Sequence, residues 1–222
     1  MVFFLKEKTI VATYIELMNT SLLLPLFYFP PISWLHFYAK ENTTVLLESK
    51  EHFPKQTYRN RTVIYGANGK LPLIIPIRHS GKRVYDEIEI SYAENWQSLH
   101  WKSIKTAYQS SPYFEFYEDA LEDLFTTPEP LLFQFNEKVL AKVLELLKWP
   151  SSHELTTVYE KNIVGEDLRE KFSAKSPSEY SLPPYYQTFD EKFGFQNDLS
   201  VLDLLCNKGP ESSTYIKQLL IN

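Results

Sequence analysis

The chain has 222 residues, 44% of them apolar and 23% charged, with a formal net charge of −5 and a pI near 5.6. This suits one globular domain that buries roughly 70% of its unfolded surface, and the acidic balance argues against duplex nucleic acid as the main partner. A single cysteine, Cys206, excludes an internal disulfide and a cysteine-based zinc site.

Further classes drop out on motifs. Six glycines are too few for a glycine-rich phosphate-binding enzyme, neither a dinucleotide fingerprint nor a P-loop is present, and no cofactor is expected. The longest apolar run, 22–31, contains three prolines and falls far short of the roughly 20 residues of a membrane span. No secretory leader is legible, so the expected compartment is the cytoplasm.

Residues 1–17 read as an upstream extension of disordered or loosely helical character, with the domain proper from Met18 to Asn222. Ser21–Phe29 is apolar and reads as a buried strand, ended by Pro30-Pro31. Ile32–Ala39 follows as a short helix with Pro31 near its first turn. Thr43–Glu48 is a second strand. Thr62–Tyr65 and Leu71–Ile77 flank Gly66-Ala-Asn-Gly69, residues that tolerate positive φ, and predict a hairpin. Glu87–Ile90 alternates as a short strand. Asn95 caps a helix to about Tyr108, Ser111-Pro112 opens another to about Phe125, and Leu131–Leu147 has helical apolar spacing. Residues 150–186 read as irregular, with at most a short strand near 155–159, and a loop of that length is usually functional or mobile. Ser200 caps a helix through Cys206, and Pro210–Leu220 is helical again. The fold class is α/β: one mixed α+β domain with an N-terminal sheet and hairpin, central helices over 95–148, and C-terminal helices closing on the sheet.

Charge singles out one stretch. From Lys50 to Arg83 there are eight Lys or Arg and one acid, Glu51, a net +7 that leaves −12 for the remainder. Such a local excess opposes compaction by self-repulsion and points to a surface that meets an anion. Read as extended chain, Lys55, Thr57, Arg59 and Arg61 share one face, with Gln56 and Asn60 on the other. The arginine fork binds carboxylate or phosphate through paired hydrogen bonds. The alternative is a strand edge protected by charge.

Three other groups are candidates for chemistry. On a helix, His100 is the polar member of a stripe with Trp96 and Ile104, either tuned for proton transfer or simply a satisfied core histidine. No second ligand stands at metal spacing, so no metal site is expected. Ser200 and Asp203 approximate a capping box, while Asp203 and Asn207, four apart, share a face that could serve a site. Pro183-Pro-Tyr-Tyr-Gln187 either presents Tyr186 and Gln187 to a cleft or forms a stiff junction. Cys206 reads as a small core residue.

The ordered set of Tyr28-Phe-Pro-Pro31 with Trp34, Lys55-Gln-x-x-Arg59-Asn-Arg61, Asn68-Gly69, Pro76, Trp96-Gln-x-x-His100-Trp101, Ser111-Pro-Tyr-Phe114, Tyr186-Gln187 and Leu199–Leu205 with Asn207 and Gly209 resembles the WbqC-like family of bacterial proteins, over about 22–220. The variant is similar to its Bacteroidetes branch. The family often carries a His-Gln-Pro motif where this chain has Leu26-Phe-Tyr-Phe-Pro-Pro31, so that histidine has no counterpart here. The resemblance implies association with O-antigen and other surface-polysaccharide gene clusters. It singles out Lys55, Gln56, Arg59, Asn60 and Arg61 within the basic stretch.

The combined reading is an enzyme of sugar or surface-polysaccharide modification, a transferase in one form of it, acting on a phosphate-bearing substrate that is nucleotide-linked or carrier-linked. Lys55, Arg59 and Arg61 would hold the anion. His100, oriented by Asp203, would move the proton, and Tyr28, Trp34, Trp96 and Tyr186 would wall the cleft. The rival is a non-catalytic scaffold that binds an anionic glycan or a protein.

Overall fold

Leu22, Leu23 and Leu24 are almost wholly buried, the run expected of a strand covered on both faces of a parallel sheet. In the computed structural model, which describes residues 21–221, they form β1 (Ser21–Pro25). The extension read over 1–17 lies outside the described residues. The chain crosses through α1 (Ile32–Tyr38) to β2 (Thr44–Glu48), which pairs parallel with β1 from Ser21↔Thr44 to Pro25↔Glu48.

The basic stretch holds the hairpin β3 (Arg61–Gly66) and β4 (Gly69–Ile74), antiparallel and in register around Gly66↔Gly69. Gly69 has φ +97°, which only glycine adopts freely. The segment read as a strand at Glu87–Ile90 is instead a 3₁₀ turn at Tyr85–Glu87 followed by single bridges, Ile77↔Ile90 and Glu89↔Leu131.

The central helices are α2 (Trp96–Tyr108), α3 (Phe114–Glu122) and α4 (Leu132–Leu147). Asn95 caps α2, its Oδ1 accepting from the Ser98 amide at 3.2 Å. α4 ends where Lys148 turns left-handed, at φ 58°.

Residues 150–186, read from sequence as irregular, complete the sheet. β5 (His153–Leu155) pairs parallel with β2, and β6 (Glu166–Asp167) pairs parallel with β1 on its other side, giving the order β5-β2-β1-β6. Strands of three and two residues are too short to show a periodicity, so pairing and not pattern defines them.

After α5 (Asp190–Phe193), the helices α6 (Val201–Lys208) and α7 (Ser212–Lys217) close back on the first βα unit. Asp198 caps α1 from 165 residues away, taking the Ser33 amide at 2.8 Å and hydroxyl at 2.7 Å. The backbone ties Ile32 to Leu199 and Val201 to Pro30 on either side. The molecule is one α/β domain with a parallel sheet and a separate hairpin. Among the described residues no helix is long and apolar enough to cross a membrane.

Candidate functional site

Because β1, β2, β5 and β6 run parallel, their carboxyl ends all open on one side, the side on which open α/β sheets bind ligands. A cleft of about 1060 Å³ lies there, lined by the segment after β2, the segment between β5 and β6, and the residues after β6. Its lining carries seven Lys or Arg against three acids, Glu51, Asp167 and Glu170.

The floor is a buried charge network. Arg59 is 2% exposed, and its Nε and Nη2 donate to the two Glu51 carboxylate oxygens at 2.6 and 2.8 Å. Nη2 also reaches the Arg169 carbonyl at 3.3 Å. The Arg59 carbonyl accepts from Asn136 Nδ2 at 2.6 Å, which fixes the segment against α4. Arg169 donates through Nη1 to Glu48 Oε2 at 3.0 Å and through Nη2 to Asp167 Oδ2 at 2.6 Å. Glu48, the last residue of β2, also accepts from the Lys50 amide and the Thr156 hydroxyl, so both its oxygens are satisfied.

Electrostatics follow from this pairing. Burial pushes the Glu51 carboxyl up, and the Arg59 charge beside it works in the opposite sense. Burial also raises Asp167, but its hydrogen bonds and charge contact with Arg169 outweigh that and hold it below the usual carboxylate range. The Arg169 guanidinium is raised, first by its hydrogen bond to Asp167.

Above this floor the cations differ in what they face. Lys50 pairs with Asp86 and Lys171 with Glu179. Among the described residues, Lys55, Lys161 and Lys175 have no carboxylate partner, and all three are exposed on the cleft. Gln56, exposed beside Lys55 with φ +61°, lines it as well, as does His52.

The sequence-derived site residues therefore separate into groups. Lys55, Gln56 and Arg59 meet at the cleft, but Arg59 is not the free anion fork the extended reading expected. Residues 55–60 are a chain of turns and bends, and they return Arg59 to Glu51 instead of aligning it with Lys55. Asn60 is a structural clamp, donating to the Ile75 carbonyl at 3.0 Å while Ile75 donates back to its own carbonyl. Arg61 begins β3, half-buried and off the cleft.

His100 lies elsewhere. It is 3% exposed, shares a 3.1 Å hydrogen bond between its Nδ1 and the Tyr28 hydroxyl, and packs edge-on against Trp96. Burial pushes its imidazole down to about 4, opposed by the Ile74 carbonyl. Tyr28, Trp34 and Trp96 are core residues and do not line this cleft, with the Trp34 indole donating to the Pro25 carbonyl at 2.9 Å.

Asp203 does not orient His100. Its Oδ2 accepts from the Tyr185 hydroxyl at 2.6 Å and from Gln187 Nε2 at 2.8 Å, and burial pushes its carboxyl up to about 6. Asn207 donates to the Asp203 carbonyl at 2.8 Å. Nor is Asp203 part of a capping box: Ser200 alone caps α6, accepting from the Leu202 amide at 3.3 Å. Tyr186 is exposed and stands apart from the cleft. Cys206 is fully buried, and burial raises its thiol well above the ordinary range.

Glu48, Tyr159, Lys161, Asp167, Arg169 and Lys175 were missed by sequence reasoning. One signal did exist for the floor. Glu51 is the sole acid in the basic stretch, and a lone acid among eight cations is the natural internal partner for one of them.

In comparison with known proteins, the model of the WbqC-like protein family fits residues 27–176. No curated protein and no solved structure matches the chain. The matched span includes every cleft residue from Lys50 to Lys175, and leaves Tyr186, Gln187, Asp203 and Asn207 beyond it.

Proposed function

The chain belongs to the WbqC-like protein family, and on that premise we propose that it acts in surface-polysaccharide or sugar modification, on a phosphate-bearing substrate bound in the cleft at the carboxyl ends of the parallel strands. One observation carries this reading: the cleft sets Lys55, Lys161 and Lys175, which have no carboxylate partner among the described residues, above a fixed floor of arginine–carboxylate pairs. Glu51, Glu48 and Asp167 hold the arginines in place and offset their charge, so the floor fixes the shape of the cleft and the attraction for an anion comes from the lysines above it. The three lysines supply direct contacts with phosphate oxygens.

His52 is the histidine on the cleft wall, and in this reading it serves as the general acid–base group in place of His100. The chemistry is transfer of the phosphate-linked or carrier-linked group. A lone buried thiol and the lack of a membrane-spanning helix among the described residues support a cytoplasmic setting.

The scaffold reading draws on a different observation: the buried cleft carboxylates already accept from arginines. Two measurements separate the readings. A thermal-shift panel of nucleotide sugars, carrier-linked acyl groups and inorganic phosphates should raise the melting temperature for one class in wild type, and not in Lys55→Ala/Lys161→Ala. With a stabilising nucleotide sugar in hand, His52→Gln should retain that shift while turnover falls about 10²-fold or more. Retained turnover removes His52 from the chemistry, and the absence of turnover in wild type favours the scaffold.

A further inference from the structure

Tyr159 stands in the segment that joins β5 to β6, on the wall of the cleft. The Arg169 guanidinium carbon lies 4.9 Å from its ring centroid, so one face of the ring is covered by a cation. The residue is still 52% exposed. Arg169 is itself held by Glu48 and Asp167, so the ring rests on a fixed support and little ordering remains to be done on binding. Val158 and Val164, in the same segment, are 61% and 62% exposed. Lys161, two residues from the ring, and Lys55 face the same space.

A flat, supported aromatic surface beside cations that have no carboxylate partner among the described residues suits a ligand with two parts, a planar ring and phosphates. Resting on the cleft reading above, we infer that Tyr159 is the stacking platform for the base of a nucleoside diphosphate whose phosphates meet Lys55 and Lys161. The substrate class thereby narrows from any phosphate-bearing compound to a nucleotide-linked one. Tyr159 positions the ligand and takes no part in bond making.

Isothermal titration of the full chain with inorganic pyrophosphate and with UDP, dTDP, GDP, CDP and ADP tests this at constant ionic strength. At least one nucleoside diphosphate is expected to bind about fivefold or more tighter than pyrophosphate, the increment a stacked base contributes. Tyr159→Ala should erase that advantage while leaving the pyrophosphate Kd within about twofold, and Tyr159→Phe should keep it. Equal binding of pyrophosphate and every nucleoside diphosphate overturns the inference and leaves the anion cleft standing. So does an advantage that survives Tyr159→Ala. If neither pyrophosphate nor any nucleotide binds, the cleft reading falls with it.

Discussion

Glu51 meets Arg59 through two hydrogen bonds where the side chains are only 9% and 3% exposed. Removing one partner of such a pair leaves a buried charge uncompensated, at a cost of about 3–5 kcal/mol. Urea unfolding of Arg59→Ala and Glu51→Ala should show losses of that size, where a solvent-facing arginine would cost about 0.5 kcal/mol or less. A second prediction concerns pH. Asp203 is pushed up to about 6 from 3.8, so between about pH 4 and 6 the folded chain keeps a proton that the unfolded chain has released. Stability from this group is present at acid pH and is lost as pH rises through about 6. His100 is pushed down to about 4 from 6.5, so its contribution is present above about 6.5 and is lost as pH falls toward 4. The two oppose each other, each worth at most about 3 kcal/mol. Asp203→Asn should therefore lower stability at pH 4.5 relative to pH 7 more than wild type does, and His100→Gln should do the reverse. Equal pH slopes in all three proteins would refute both assignments. At this scale residue types and faces were legible in the sequence, and partners were not. The helical stripe placed His100 beside Trp96 correctly, yet Arg59 pairs through a set of turns with a residue eight positions back, and Arg169 pairs across 121 residues with Glu48. Nothing in local spacing announces either pair.

Elements with a strong local signal were legible. The hairpin followed from its turn residues, α2 from Asn95 and its apolar stripe, α4 from its period, and α6 from Ser200. The two short strands that finish the sheet were not, because each is held by its neighbour and by the geometry of the chain that delivers it. Gly165 shows this dependence for β6. It has φ +128°, and a Cβ there would sit 2.4 Å from the Ser21 carbonyl oxygen, a backbone atom that cannot move aside without disturbing β1. Gly165→Ala should cost about 1–3 kcal/mol in unfolding free energy, and it should also weaken ligand binding, because β6 delivers Asp167 and Arg169 to the cleft. A substitution that lowers stability but leaves pyrophosphate affinity unchanged would show that β6 does not set the position of the cleft floor.

For the molecule as a whole, the −12 carried outside the basic stretch and the parallel carboxyl ends together decide where an anion can approach. The basic stretch itself divides. Its first third, Lys50 to Arg59, feeds the cleft, while Arg78 and Lys82 pair with Glu89 away from it. Long-range charge alone would make all these cations equivalent to a diffusing anion. The cleft account makes them different. The most direct test is titration with inorganic pyrophosphate, and with the tightest-binding nucleoside diphosphate, of wild type and two variants of equal net charge, Lys55→Ala/Lys161→Ala and Arg78→Ala/Lys82→Ala. The account predicts that the first variant weakens binding about tenfold or more and the second leaves it within about twofold. Equal weakening in both, or loss only in the second, would contradict it.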